Sequence, residues 1–327
     1  MMFRRRPWRF LLAALLLLAS SSASANGPLE TARSLFESGA YSQAIQALQA
    51  ELGKSPQDAR LHFWLSRCYY ELRDYDRAVQ SGESAVRLDT RVSDYWYWLG
   101  RAYGEKADRE HSLGYARKTK KAFQQAVALD GSNVPARRAL IEYLTEAPGF
   151  LAGGDKDEAR EHIGVLMQQN PVQGQLAWGY YWNEVESPQK AEAAYRRVLE
   201  LKPKDADAYF EVADFYRKRG DAAQMEAAVE SAGRVEPSNP QLNFYRGAAR
   251  VLAGNRLGEA ARYLEAYLAK TPQFSDFPSH ASAHEWLGAA YEKAGNRAKA
   301  IEHYQTALSL NPRRKGAKEG LKRLGAG

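Results

Sequence analysis

The chain has 327 residues, of which 45% are hydrophobic and 26% are charged. This balance is typical of a foldable chain and excludes a disordered one. The formal net charge of +7 includes four arginines in the first 25 residues; without them the chain has 42 basic and 39 acidic residues, a net charge of +3. So small a charge does not predict binding to nucleic acid or to an anionic membrane. The single cysteine, Cys68, cannot form an internal disulfide, so stability must come from packing.

Residues 1–25 have the pattern of a secretory signal peptide. Arginines open the segment, an uninterrupted apolar stretch follows over residues 10–19, and small residues occupy 23–25. As a helix, the apolar stretch would be about 15 Å long, half of what a bilayer core requires. The sequence therefore predicts cleavage after Ala25 and a periplasmic or secreted location. An uncleaved amphipathic or anchoring N-terminus is the alternative.

The remaining chain repeats with a period close to 34 residues. Ala44 and Ala78 are 34 positions apart, and so are Pro203 and Pro237. Each unit has apolar residues at helical spacing, a short turn, a second amphipathic stretch and a closing proline. One such hairpin cannot bury its own apolar face, so the units are predicted to stack.

This unit resembles the tetratricopeptide repeat. The copy near the C-terminus carries the family pattern at Trp286, Leu287, Gly288, Tyr291, Ala300, Tyr304 and Pro312. The resemblance covers about residues 27–312 and implies an all-α, right-handed α-solenoid of seven to eight helical hairpins over residues 26–312. Residues 313–327 are predicted to form a C-terminal cap helix. Small residues such as Gly100 and Gly288 are expected where two helices approach closely.

Three stretches depart from the period. Extra residues around 108–114 predict a loop between the two helices of the third unit, and a Gly-rich loop covers residues 147–156 in the fourth, so residues 93–171 form two expanded repeats. Their turns should lie next to each other, because consecutive repeats present these turns on one edge. A third insertion, a loop, covers residues 272–281. The Gly-rich loop departs from a phosphate-binding loop at Asp155 and Lys156, and a structural turn is favoured.

The resemblance implies binding of an extended peptide or helix along the concave face, which the first helix of each hairpin lines. Aromatic residues and arginines occupy these positions, and both types concentrate binding energy at interfaces. The predicted groove residues are Phe63, Trp64, Arg67, Tyr70, Tyr97, Trp98, Arg101, Tyr180, Asn183, Phe210, Arg217 and Tyr245. The alternative is that about half of them pack in the core. The positions that clamp a C-terminal carboxylate in one subclass of the family lack the required Lys and Asn, which disfavours that partner.

A second candidate surface is a basic edge formed by the two expanded repeats. Its residues are Lys106, Arg109, His111, Lys118, Lys120 and Lys121. Such an edge could attract an acidic partner, an anionic glycan or lipid head groups, which gives the alternative function of an envelope-assembly subunit contacting glycan or lipid machinery. The simpler interpretation is a solvated helix face.

No catalytic motif is recognisable in the sequence. His280 and His284 have helical i, i+4 spacing with Asp276 nearby, but a further ligand at diagnostic spacing is missing. Cys68 adjoins a packing face and is expected to be a small buried hydrophobe. The predicted function is therefore that of a non-enzymatic exported scaffold or adaptor that binds a protein or peptide and needs no metal or cofactor.

Overall fold

The computed structural model describes residues 27–326, which fold into eighteen helices without a strand. The predicted signal segment lies outside these residues. The helices are α1 (Pro28–Glu37), α2 (Tyr41–Leu52), α3 (Ala59–Glu71), α4 (Tyr75–Leu88), α5 (Ser93–Glu110), α6 (Leu113–Leu129), α7 (Val134–Glu146), α8 (Gly149–Ala152), α9 (Lys156–Gln169), α10 (Pro171–Glu184), α11 (Pro188–Leu201), α12 (Ala206–Arg219), α13 (Ala222–Val235), α14 (Leu242–Ala253), α15 (Leu257–Lys270), α16 (His280–Lys293), α17 (Arg297–Leu310) and α18 (Lys315–Arg323). None of them is long and apolar enough to cross a membrane.

Sixteen of these helices pair into eight consecutive hairpins, which we number 1 to 8 in chain order. Hairpin 4 consists of α7 and α9, with the single-turn α8 in its loop, and α18 packs on the end of hairpin 8. Each hairpin packs against the next, so the hydrophobic core extends along the stack instead of forming one round centre. The predicted all-α solenoid of seven to eight hairpins is confirmed, with eight hairpins in the described part of the chain.

Short polar residues and glycines set where the helices begin and end. The Asp58 carboxylate accepts a hydrogen bond from the backbone N–H of Arg60 at 2.9 Å, and the Asn133 side chain accepts one from Ala136 at 2.9 Å. Such caps satisfy N–H groups that have no partner within the helix. Gly220 ends α12 with a φ of 75°, which a residue with a Cβ rarely adopts. These signals recur with the repeat.

Glycines allow the two helices of a hairpin to approach closely. A Cβ placed on Gly100 would lie 2.5 Å from the ring of Phe123, and one on Gly288 would lie 2.5 Å from the ring of Tyr304. Each aromatic ring of the second helix therefore occupies the space that a side chain of the first would need. The expected close approach at these positions is confirmed.

The predicted loop at residues 108–114 is wrong. The extra residues instead lengthen the two helices of hairpin 3, α5 to 18 residues and α6 to 17. His111 and Ser112 alone connect them: His111 adopts the left-handed conformation and the Ser112 hydroxyl caps α6. The long hairpin does contact the loop of hairpin 4, since the Lys120 ammonium donates to the carbonyl oxygen of Gly153 at 2.8 Å. The expectation that the two expanded regions are neighbours is thereby confirmed.

The connection between hairpins 7 and 8, residues 271–279, extends away from the two hairpins that it joins. It reaches hairpins 1 to 3, where Phe274 packs against their hydrophobic core. The stack of hairpins therefore curves enough to bring its two ends within reach of one loop.

Candidate partner-binding surface

The first helices of the hairpins line a groove, which we call the concave face. It contains three neighbouring cavities of ≈770, ≈580 and ≈270 Å³, and Tyr97 lines all three. The largest, the central cavity, is lined by residues of hairpins 2 to 5 and by Asp276 of the connection between hairpins 7 and 8. Its volume is in the range of cavities that hold small molecules or peptide side chains.

The central cavity combines aromatic rings with an excess of carboxylates. Its rings include Tyr97, Tyr143 and Tyr180, of which only Tyr143 is absent from the predicted groove residues. Its acidic residues, none of them among the predicted groove residues, are Glu105, Asp108, Glu142, Glu146 and Asp276. The sequence signal for these carboxylates was the recurrence of acidic residues three or four positions apart on the first helices. Such a pattern usually marks a solvated face, so it did not predict a cavity. Tyr180 donates a hydrogen bond to the Glu146 carboxylate, which fixes the direction of its ring.

The second cavity is built around the guanidinium of Arg67. Its central carbon lies 4.5 Å from the ring centroid of Phe36, 4.6 Å from that of Trp64 and 4.4 Å from that of Trp98. Burial lowers the pKa of Arg67 below its ordinary value. Because rings surround the cation, Arg67 holds them in place by cation–π attraction and is not a free contact for a partner.

Arg101 connects the first two cavities. Its guanidinium stacks on Trp98 at 4.4 Å and binds both carboxylate oxygens of Asp276, at 3.1 and 2.5 Å. Burial lowers the pKa of Arg101, but the negative charge of Asp276 raises it, and the net result is a pKa above the ordinary value. The arginine that was predicted to face a partner is thus already bound by a loop of the same chain.

Several predicted groove residues do not present their side chains to the groove. Phe210 and Tyr245 stack on each other with centroids 4.4 Å apart and are 3% and 4% exposed. The prediction that they contact a partner is wrong, because they fill the contact between the first helices of neighbouring hairpins. Tyr70 is also buried, beneath Arg101.

The other predicted groove residues keep part of their surface accessible. Phe63, Trp64, Tyr97, Trp98 and Tyr180 are partly exposed. Asn183 is exposed, and Arg217 is partly exposed while it pairs with Asp214 at 2.8 Å. The predicted groove residues that keep an accessible surface are therefore mainly aromatic.

The predicted basic edge is largely neutralised by neighbouring carboxylates. Lys106 and Arg109 both pair with Asp76. Lys118 lies 3.5 Å from Glu83, and Lys120 lies 2.9 Å from Glu158. His111 and Lys121 are exposed, and neither has a carboxylate partner in the described part of the chain. The edge is therefore a network of ion pairs and not a surface of one sign.

The remaining candidate groups have structural roles. Within residues 27–326, no cluster of three or more potential ligands could hold a metal ion. The Nδ1 atoms of His284 and His303 lie 3.0 Å apart, and His280 contacts the carbonyl oxygen of Thr271. Cys68 is buried, and burial raises the pKa of its thiol to about 12. The Gly-rich loop contains the single-turn α8, and its Asp155 caps α9.

Comparison with known proteins agrees with this architecture. A family model described as tetratricopeptide repeat matches residues 29–93 and 184–232, and a second model of the same description matches residues 281–314. The chain therefore contains tetratricopeptide repeats. No curated protein matches its sequence.

Solved structures are similar to this chain at low sequence identity. A chain in the crystal structure of the APC/C hetero-tetramer Cut9-Hcn1 is 14% identical with a TM-score of 0.51; the match covers 91% of this chain and 55% of that one. A tetratricopeptide repeat protein from Parabacteroides merdae is 17% identical, with a TM-score of 0.47 and coverage of 82% and 99%. A thermophilic one from Thermus thermophilus is 19% identical, with a TM-score of 0.46 and coverage of 68% and 96%.

Proposed function

We propose that this protein is an exported scaffold or adaptor that binds a segment of a partner protein on its concave face. Tetratricopeptide repeats are protein-interaction scaffolds, and such a fold is typically non-enzymatic. The observation that carries the proposal is the central cavity, an opening of ≈770 Å³ lined by Tyr97, Tyr143 and Tyr180. Aromatic rings offer a large contact area and lose few torsions on binding.

The carboxylates around these rings suit a polypeptide ligand. Glu105, Glu142 and Glu146 line the same cavity. Their oxygens can accept hydrogen bonds from the backbone N–H groups of a bound segment, which otherwise would lose their contacts with water. Export rests on the signal pattern of residues 1–25.

Site-specific photo-crosslinking tests the proposal. A photoreactive amino acid replaces Tyr97 or Tyr180 in the central cavity, and Leu310, 48% exposed on the second helix of hairpin 8, serves as the control position. We expect one discrete adduct with an envelope protein at both cavity positions and none at Leu310. Equal adducts at all three positions, or none in the cavity, would contradict the proposed function.

A further inference from the structure

The loop between hairpins 7 and 8 is seated on the concave face as a ligand would be. Its tip is a turn in which the backbone N–H of Phe277 donates to the carbonyl oxygen of Phe274 at 3.1 Å. Residues 272–276 contact α1, α2, α3 and α5, which belong to the far end of the stack. The turn thus lies on a surface built by other hairpins.

Aromatic contacts hold one side of this turn. The ring of Phe274 lies 6.1 Å from that of Phe36 and 6.2 Å from that of Tyr41, edge-on to the latter. The Tyr41 hydroxyl donates to the carbonyl oxygen of Gln273 at 3.0 Å. Pro272 lies so close to Gly39 that a Cβ at Gly39 would be 2.9 Å away. This side of the surface therefore fits the shape of the turn and also binds one of its backbone carbonyl groups.

Charged groups hold the other side. The Glu71 carboxylate accepts a hydrogen bond from the backbone N–H of Ser275 at 2.7 Å and another from its hydroxyl at 2.9 Å. Burial raises the pKa of Glu71, while these hydrogen bonds from Ser275 oppose the rise. On the neighbouring helix α5, Arg101 binds the Asp276 carboxylate through two nitrogens. Each polar group of the Ser-Asp pair thus has its own partner.

We propose that Phe36, Tyr41, Glu71 and Arg101 form a binding site, which we call the turn site, for a turn with the sequence aromatic–Ser–Asp. The chain's own residues 274–276 fill it in cis. A partner protein that displays such a turn binds there by displacing this segment. The inference rests on the proposed function and names the chemistry of the partner at one end of the groove.

Tethering explains why the site is occupied when no partner is bound. A segment on a short linker has an effective concentration in the millimolar range, so it excludes free ligands present at micromolar concentration. The Asp276 side chain is 65% exposed, so water competes for its ion pair with Arg101. A partner that reaches the turn site and the central cavity together gains enough contacts to compete with the tethered turn.

Peptide binding to full-length protein tests the turn site. The probe is a fluorescein-labelled peptide with the sequence of residues 271–279, titrated by fluorescence polarisation against the wild-type protein and against the double variant Phe274→Ala/Asp276→Ala. The variant lacks the ring and the carboxylate that hold the chain's own segment in the site. We expect saturable binding to the variant below about 1 mM and at least about 10-fold weaker binding to the wild type. Adding Arg101→Ala to the variant, or Asp→Ala to the peptide, should abolish binding.

Three results would overturn the inference. One is the absence of saturable binding to a variant whose helical circular dichroism is intact; another is binding that ignores Arg101→Ala. The third is a wild-type dimer in sedimentation that the double variant lacks, since the turn would then fill the site of a second copy. If the double variant does not fold, Asp276→Asn alone replaces it with the same expectation. Crosslinking at Tyr180 reports the proposed function separately, so a partner adduct there without peptide binding refutes the turn site alone.

Discussion

Arg101 and Asp276 are 175 positions apart in the chain and are joined by two hydrogen bonds, of 3.1 and 2.5 Å. Arg101 belongs to hairpin 3, and Asp276 to the loop that follows hairpin 7. Most contacts of a repeat protein lie within a hairpin or between neighbours, so its stability is close to a sum of local terms. The Arg101–Asp276 pair adds a long-range contact that links hairpin 3 to the loop after hairpin 7, and we expect it to make unfolding more cooperative.

Replacing Asp276 with alanine should lower the free energy of unfolding by about 1–2 kcal/mol, since Arg101, whose side chain is 14% exposed, would lose its charged partner. The exposure of Asp276 limits the loss. Urea unfolding measures the effect. Asp108→Ala is the matched control, because Asp108 lines the same cavity without an ion pair in the described residues. Equal losses for the two variants would show that the long-range pair contributes no stability of its own.

Replacing Gly100 with alanine should destabilise the protein by about 1–3 kcal/mol, since the new Cβ would lie 2.5 Å from the ring of Phe123. The same replacement at Gly164, within α9, meets no atom within 4 Å. There we expect a gain of about 0.5–1 kcal/mol from the higher helix propensity of alanine. Thermal unfolding of the two variants provides the comparison. If both changes stabilise the protein, hairpin 3 is not packed as closely as described.

The histidine pair of hairpin 8 predicts a loss of stability in mild acid. Burial lowers the pKa of both His284 and His303, and the charge of His303 lowers the pKa of His284 further. The folded pKa is below the unfolded value, so this contribution is present above about pH 6.5 and is lost as the pH falls through the folded pKa. We expect the melting temperature to fall between pH 7 and pH 5, and less steeply in His303→Gln. Parallel curves for the two proteins would refute the role of this pair.

The proposed export includes cleavage of the signal peptide, so we expect a mature protein with a defined N-terminus. When the full-length chain is expressed in a bacterium with a general secretory pathway, intact-mass spectrometry of the periplasmic and secreted fractions should find a protein that begins at Asn26. A variant in which leucines of the apolar stretch are replaced by charged residues should remain uncleaved in the cytoplasm. A full-length product in the membrane fraction would instead support an uncleaved anchor.

Local packing made most of the fold predictable from the sequence. The contact of Gly288 with Tyr304 spans 16 positions, so the repeat pattern contains both partners. The contact between Asp276 and Arg101 depends on the curvature of a stack of several hairpins. The sequence of one repeat does not encode that curvature. Phe210 and Tyr245 occupy repeat positions like those of exposed aromatics, yet each covers the other. Burial at such positions depends on the side chains of the next repeat.

The affinity of the crosslinked partner for purified variants tests the central claim most directly. Isothermal titration compares the wild type, the double variant Tyr97→Ala/Tyr180→Ala and the control Leu310→Ala, after circular dichroism has shown equal helix content. Aromatic residues at the centre of an interface typically contribute about 2 kcal/mol or more each. We predict that the double variant binds at least about 10-fold more weakly and that Leu310→Ala binds like the wild type. Unchanged affinity in the double variant would contradict binding on the concave face.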